Sequence, residues 1–134
     1  MSLLVPDKGE RQMLIMALQK ATVETQTLKL FVNNYTPVEG STEASFTEMS
    51  TLGYAAKTLA RANWTVATDG GGISSAVQPQ QVWTFTAGTP VTVYGYYIIE
   101  TTSGVILWAE LLPSPQVVQN NGDVIKITPR IEQA

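Results

Sequence analysis

Two β-type runs, separated by the turn signal Thr101-Thr102-Ser103-Gly104 within the stretch from Val91 to Glu110, constrain this chain more than any other part of it. Read with a period of two, Thr92, Tyr94, Tyr96 and Ile98 share one face of the first run, while Val91, Val93, Tyr97 and Ile99 share the other with Gly95 among them. Both faces are largely apolar. A strand with two apolar faces belongs in the middle of a sandwich, or at a surface where one face meets another chain. Which of these settings holds decides what the hairpin is for.

Composition narrows the choice. A chain of 134 residues fits one domain, 1–134, and can bury about two-thirds of its unfolded surface in a single core. Charged residues make up only 14%, against about one-quarter in ordinary soluble domains, which suggests that a partner covers part of the surface. The net charge of −3 and eight basic residues scattered from Lys8 to Arg130 argue against binding nucleic acid. No run approaches the roughly 18 apolar residues of a membrane span, and Ser2 to Val5 is too short for a signal core. A membrane partner is not expected, and a cytosolic place of synthesis is. With neither cysteine nor histidine, thiol nucleophiles, disulfides, Cys/His zinc sites and imidazole-dependent triads are excluded. Only carboxylate chemistry stays open.

Along the chain, Asp7 and Glu10 resemble a capping box, and a helix is expected over 7–20 behind a short N-terminal arm, 1–6. The pattern then alternates, with Leu28, Leu30 and Val32 opposite Thr27, Lys29 and Phe31. A long polar connection runs from Val38 to Ser50. Lys57 to Leu59 and Ala62 to Ala67 read as strand pieces, Trp64 and Val66 facing together, and Asp69-Gly70-Gly71-Gly72 reads as a flexible loop without the Lys-Ser/Thr of a phosphate cradle. Trp83 and Phe85 share a strand face ahead of the hairpin. Gln116 to Gln119 forms a further run, and after the turn Asn120-Asn121-Gly122-Asp123, the residues Ile125, Ile127 and Ile131 alternate in one strand that Pro129 places at an edge. About eight short strands indicate an antiparallel β-sandwich over 26–131, simplest as a jelly roll.

The candidate sites have bland competitors. Glu100 and Glu110 flank the hairpin and could oppose each other across its strands, where like charges need a cation, solvent or a basic neighbour; a structural or inter-subunit role is favoured over a catalytic dyad. Glu39, Glu43 and Glu48 lack the oxygen spacing and ordering glycine of a calcium loop and are expected to form a mobile acidic arm. For Trp64, Trp83, Trp108, Tyr94, Tyr96 and Tyr97, core packing is favoured over base or sugar stacking. Asn34-Tyr35-Thr36 and Asn63-Trp64-Thr65 match the glycosylation sequon by chance if the chain is not secreted.

The series L-K-L-F-V-N-N-Y-T-P (Leu28 to Pro37), G-Y-A-A-K-T-L (Gly53 to Leu59), W-T-F-T-A-G (Trp83 to Gly88), V-Y-G-Y-Y-I-I (Val93 to Ile99), V-I-L-W-A-E (Val105 to Glu110) and N-G-D-V-I-K-I-T-P (Asn121 to Pro129) resembles small structural proteins of tailed bacteriophages. The resemblance runs in order over most of the chain, and no single element in it is diagnostic. It implies a virion component without enzymatic activity, best matched by a capsid decoration, or cement, protein. Such proteins commonly bind an expanded shell as trimers and bridge its capsomers.

The expectation is therefore a homo-oligomer, three copies by that resemblance, bound to the major capsid protein on the virion surface and assembled in the host bacterial cytoplasm. No cofactor, metal or catalytic residue is expected. The candidate interface comprises Leu3, Leu4 and Val5 in the arm, Glu39, Glu43 and Glu48 in the acidic segment, and Tyr94, Tyr96 and Trp108 on the hairpin. Two rivals stand beside it: a tail, baseplate or fibre component that stacks a host glycan on Tyr94, Tyr96 and Trp108, and a carboxylate enzyme acting on cell wall through Glu100 and Glu110.

Overall fold

A computed structural model describes residues 4–9, 12–13 and 24–133. Helical backbone occurs at Asp7–Gly9 and at Gln12 and Met13; the rest of the helix expected over 7–20 lies outside the described residues. From residue 24 onward the chain is mainly β, in antiparallel sheets with no barrel among the described residues.

The strands are β1 (Gln26–Phe31), β2 (Lys57–Leu59), β3 (Thr65–Thr68), β4 (Ser74–Val77), β5 (Gln81–Thr84), β6 (Val91–Glu100), β7 (Ile106–Val118), β8 (Val124–Ile127) and β9 (Arg130–Gln133). They form a four-stranded sheet in the order β2-β1-β6-β7, a three-stranded sheet β3-β4-β9 and the pair β5-β8. The hairpin read from Val91 to Glu110 is thus part of the largest sheet, with Gly104 at positive φ closing its turn.

Both faces of that sheet are covered by the chain itself. On one side Leu28, Leu30, Leu59, Tyr96, Ile98 and Trp108 pack with Trp83 of β5 and Ile125 and Ile127 of β8. On the other, Phe31, Tyr97, Ile99, Ile106 and Ala109 pack with Phe46, which comes from the polar connection. A strand whose alternate side chains both find apolar cover has no face left to present to water.

Strict alternation fails on β6 and β7. Val93 pairs with Gln116 and Gly95 with Leu111, so residues 112–115 of β7 lie opposite Tyr94 alone. Pro113 and Pro115 sit in this bulge, where a residue without a backbone N–H disturbs no ladder. Crossing it exchanges the faces: Val93 packs with Tyr96 and Ile98, whereas Tyr94 packs with Tyr97 and Ile99. A second irregularity, between Ile98 and Ile99, inserts one residue into β7 and turns the adjacent Leu107 and Trp108 into the same cluster.

Three local expectations are corrected. The run from Val124 to Ile131 is broken at Thr128-Pro129 into β8 and β9, which join different sheets; the Pro129 carbonyl accepts a bond from Gln78 N at 2.9 Å. Trp64 and Val66 do not face together, since Trp64 packs edge-on to Trp108 while Val66 stays in water. The Asp69-Gly70-Gly71-Gly72 segment closes the β3-β4 hairpin. Its Asp69 Oδ1 accepts from Gly71 N at 2.8 Å and Ile73 N at 3.0 Å, the way an aspartate side chain organises a turn.

Candidate contact site

The hairpin aromatics are used up inside the fold. Tyr96 is 5% exposed and Trp108 4%, so most of each of these two rings of the candidate interface is taken up inside the fold. Tyr96 donates its hydroxyl to Glu110 Oε2. Burial first, and then the bond and negative charge of Glu110, push the Tyr96 phenol well above its usual range. Tyr94 is half-buried against the second cluster and keeps part of its ring at the surface.

Nor is the acidic segment a free arm. Lys29 on β1 reaches Glu43 at 2.7 Å and Glu48 at 3.2 Å. Burial draws the Lys29 ammonium down, but the bonds and charges of the two carboxylates together leave it above its ordinary value. Glu48 also accepts the Tyr54 hydroxyl at 3.1 Å, and the oxygen of that hydroxyl accepts Leu30 N at 3.2 Å. Around these contacts Val32 N bonds Thr47 O, Met49 N bonds Leu30 O, and Phe46 enters the core. A lysine ammonium therefore stands between these two carboxylates. Glu39 alone of the three acids lies exposed with no side-chain contact of this kind among the described residues, although its carbonyl accepts Asp7 N at 3.3 Å.

The N-terminal arm is likewise tied down where it is described. Leu4 exchanges both backbone bonds with Ala109 of β7, at 3.1 and 2.9 Å, and Val5 packs on the core. Leu3 lies outside the described residues. Glu100 and Glu110 do not oppose each other: Glu100 pairs with Gln26 and Glu110 with Tyr96. Glu100 is fully buried and accepts from Gln12 Nε2 and Ser103 Oγ, which joins the N-terminal segment to the hairpin turn. The two carboxylates thus sit in separate hydrogen-bond shells.

Two features remain accessible. The first is a cleft of about 220 Å³ bounded by Trp64, Trp108, Gln26, Arg61 and Ile131. Trp64 Nε1 donates to Gln26 Oε1 at 2.9 Å and the two indoles meet edge to face with centroids 5.7 Å apart, leaving an apolar wall beside the Arg61 cation. The second is the outer face of β5-β8. With Trp83, Ile125 and Ile127 turned inward and buried, the opposite face carries Val82 at 39% and Val124 at 41% exposure, with Lys126 its one charge. Alternation around Trp83 contained this signal, because Val82 is apolar where a half-buried strand would be polar.

Among the described residues no helix is long and apolar enough to cross a membrane. No family model matches the chain, and no curated protein matches it.

Proposed function

We propose that this is a non-enzymatic virion structural protein, a decoration or cement protein that binds and stabilises the assembled head of a tailed phage through the major capsid protein. Its frame would be a jelly-roll-like sandwich, and three copies would associate as the phage resemblance implies. One observation carries the reading: the β5-β8 pair buries Trp83, Ile125 and Ile127 on one face and leaves Val82 and Val124 exposed beside Thr84 and Lys126 on the other. Val82 and Val124 give that outer face the character of a surface completed by another chain, in a protein with few charges to keep it apart from neighbours. Binding only the assembled lattice stabilises it in proportion to the logarithm of occupancy, so no chemistry is needed.

Copy number and heat release test it together. A cement protein should approach the number of lattice sites, and particles lacking it should lose their genome at lower temperature. A few copies per particle, or unchanged heat resistance, would remove the reading. Val82→Lys with Val124→Lys should abolish binding to stripped heads while the free protein stays folded.

The second reading, a tail, baseplate or fibre component that binds a host glycan, has the Trp64 cleft and the half-exposed Tyr94 in its favour. Saturable sugar binding by the isolated protein, lost in Trp64→Ala, would select it.

A further inference from the structure

We propose that β3 is a self-pairing edge: Thr65–Thr68 adds antiparallel to the same strand of a second copy across a two-fold axis, joining two β3-β4-β9 sheets into one of six strands. The strand lies at the margin of its sheet and none of its four residues is buried. Val66 is 72% exposed, the most exposed of the large apolar residues among those described.

Edge strands normally carry a device against pairing, such as a lysine, a proline, a bulge or a covering segment. The outer edge of β7 has Pro113, Pro115 and the bonded Leu4, and β9 at the far margin carries Arg130 and Glu132. β3 reads Thr-Val-Ala-Thr, pairs with β4 from Thr65↔Val77 to Thr68↔Ser74 without a register shift, and contains no charge. Its outward backbone groups are open to a partner strand.

The strand is complementary to itself. Outward-pointing backbone groups alternate along a strand, so in an antiparallel self-pair each residue must oppose one of its own parity and the axis passes through a residue. Through Val66, the axis sets the two valines against each other and removes both from water, with Thr65 opposite Ala67 of the partner subunit. β-branched side chains favour such cross-strand contact. Charge agrees with the direction: Arg61 precedes the strand, is exposed and has no ion pair among the described residues, and Asp69 comes directly after it. Antiparallel pairing brings the Arg61 end of each copy to the Asp69 end of the other, twice per dimer, whereas parallel pairing would align like charges. A strand from an unrelated chain would have to supply these matches separately; a second copy has them already.

This pairing is independent of the virion role, and on a particle it would link neighbouring sets of copies across two-fold positions. Amide hydrogen exchange of the full chain at micromolar and millimolar concentration tests it, alongside sedimentation equilibrium. The outward amides of Thr65–Thr68 should gain protection at high concentration, and Val66→Lys, which sets two like charges at the axis, should weaken self-association about tenfold or more. Arg61→Glu, outside the strand, should weaken it as well and lessen its dependence on salt. Equal exchange of these amides at both concentrations would overturn the proposal, as would a concentration-dependent protection of them that survives Val66→Lys in a folded protein.

Discussion

The ring of Phe31 lies across Gly95, its register partner on the neighbouring strand: a methyl group at position 95 would stand 2.6 Å from Phe31 Cζ and 2.7 Å from Cε1, and closer still to the Glu110 carbonyl oxygen. The glycine therefore supplies the space that lets Phe31 turn into the second cluster, where its ring centroid is 4.9 Å from that of Phe46. Phe46 in turn stacks on Tyr97 at 4.7 Å. The absence of one side chain on β6 thus sets how the polar connection closes over the sheet.

Gly95→Ala should destabilise the protein by about 1–3 kcal/mol, the usual cost of overpacking. Equilibrium denaturation measures it, and Phe31→Leu in the same chain should recover part of the loss because the two residues share one space. Equal effects of Gly95→Ala with and without Phe31 would refute the relationship.

Phe46→Ala should cost about 3–5 kcal/mol, as a buried aromatic does. Removal of a residue from a free loop would cost almost nothing. The midpoint of urea unfolding distinguishes the two, and limited proteolysis between Val38 and Met49 should accelerate in the variant.

The two buried indoles differ in a way that substitution can read. Trp83 Nε1 donates to Ala55 O at 2.8 Å, whereas Trp108 Nε1 has no partner among the described residues. Trp83→Phe leaves a carbonyl that has lost its donor; Trp108→Phe removes an orphaned donor. The first should therefore be the more destabilising by about 1–2 kcal/mol, on the same denaturation measurement.

Stability should fall above about pH 10, where an unfolded tyrosine ionises. Burial, ahead of the nearby carboxylates, raises the phenols of Tyr54, Tyr96 and Tyr97. A raised folded pKa means that the unfolded chain loses these protons first, so their contribution is complete below the unfolded value and is lost as pH climbs toward the folded one. Tyrosinate absorbance from Tyr54, Tyr96 and Tyr97 should appear together with unfolding instead of before it, and Tyr96→Phe should flatten the alkaline decline.

Much of the sheet was legible because alternation and turn chemistry are local. The hairpin, the inward pair Trp83 and Phe85, and the turns at Gly104 and Gly122 all arise from residues within a few positions of each other. The contact residues were not legible in this way. Glu43 and Glu48 belong to a stretch without a basic residue, and only the register of β1 brings Lys29 beside them. Val82 is visible in the sequence as an apolar residue out of phase with Trp83, but that its face stays open depends on which side of β5-β8 the rest of the chain covers.

By itself the sequence determined a mainly β chain with a two-faced apolar hairpin and without imidazole or thiol chemistry. The tertiary structure decided what each face meets. Bulges at Tyr94 and Leu107 reverse the parity along β6 and β7, so a period of two carried through from Val91 assigns several side chains to the wrong side. The cover for the second face comes from Phe46, far from the hairpin in sequence and inside a polar segment. Alternation is a local rule, whereas a bulge and a partner for a buried face are chosen by packing between segments distant along the chain.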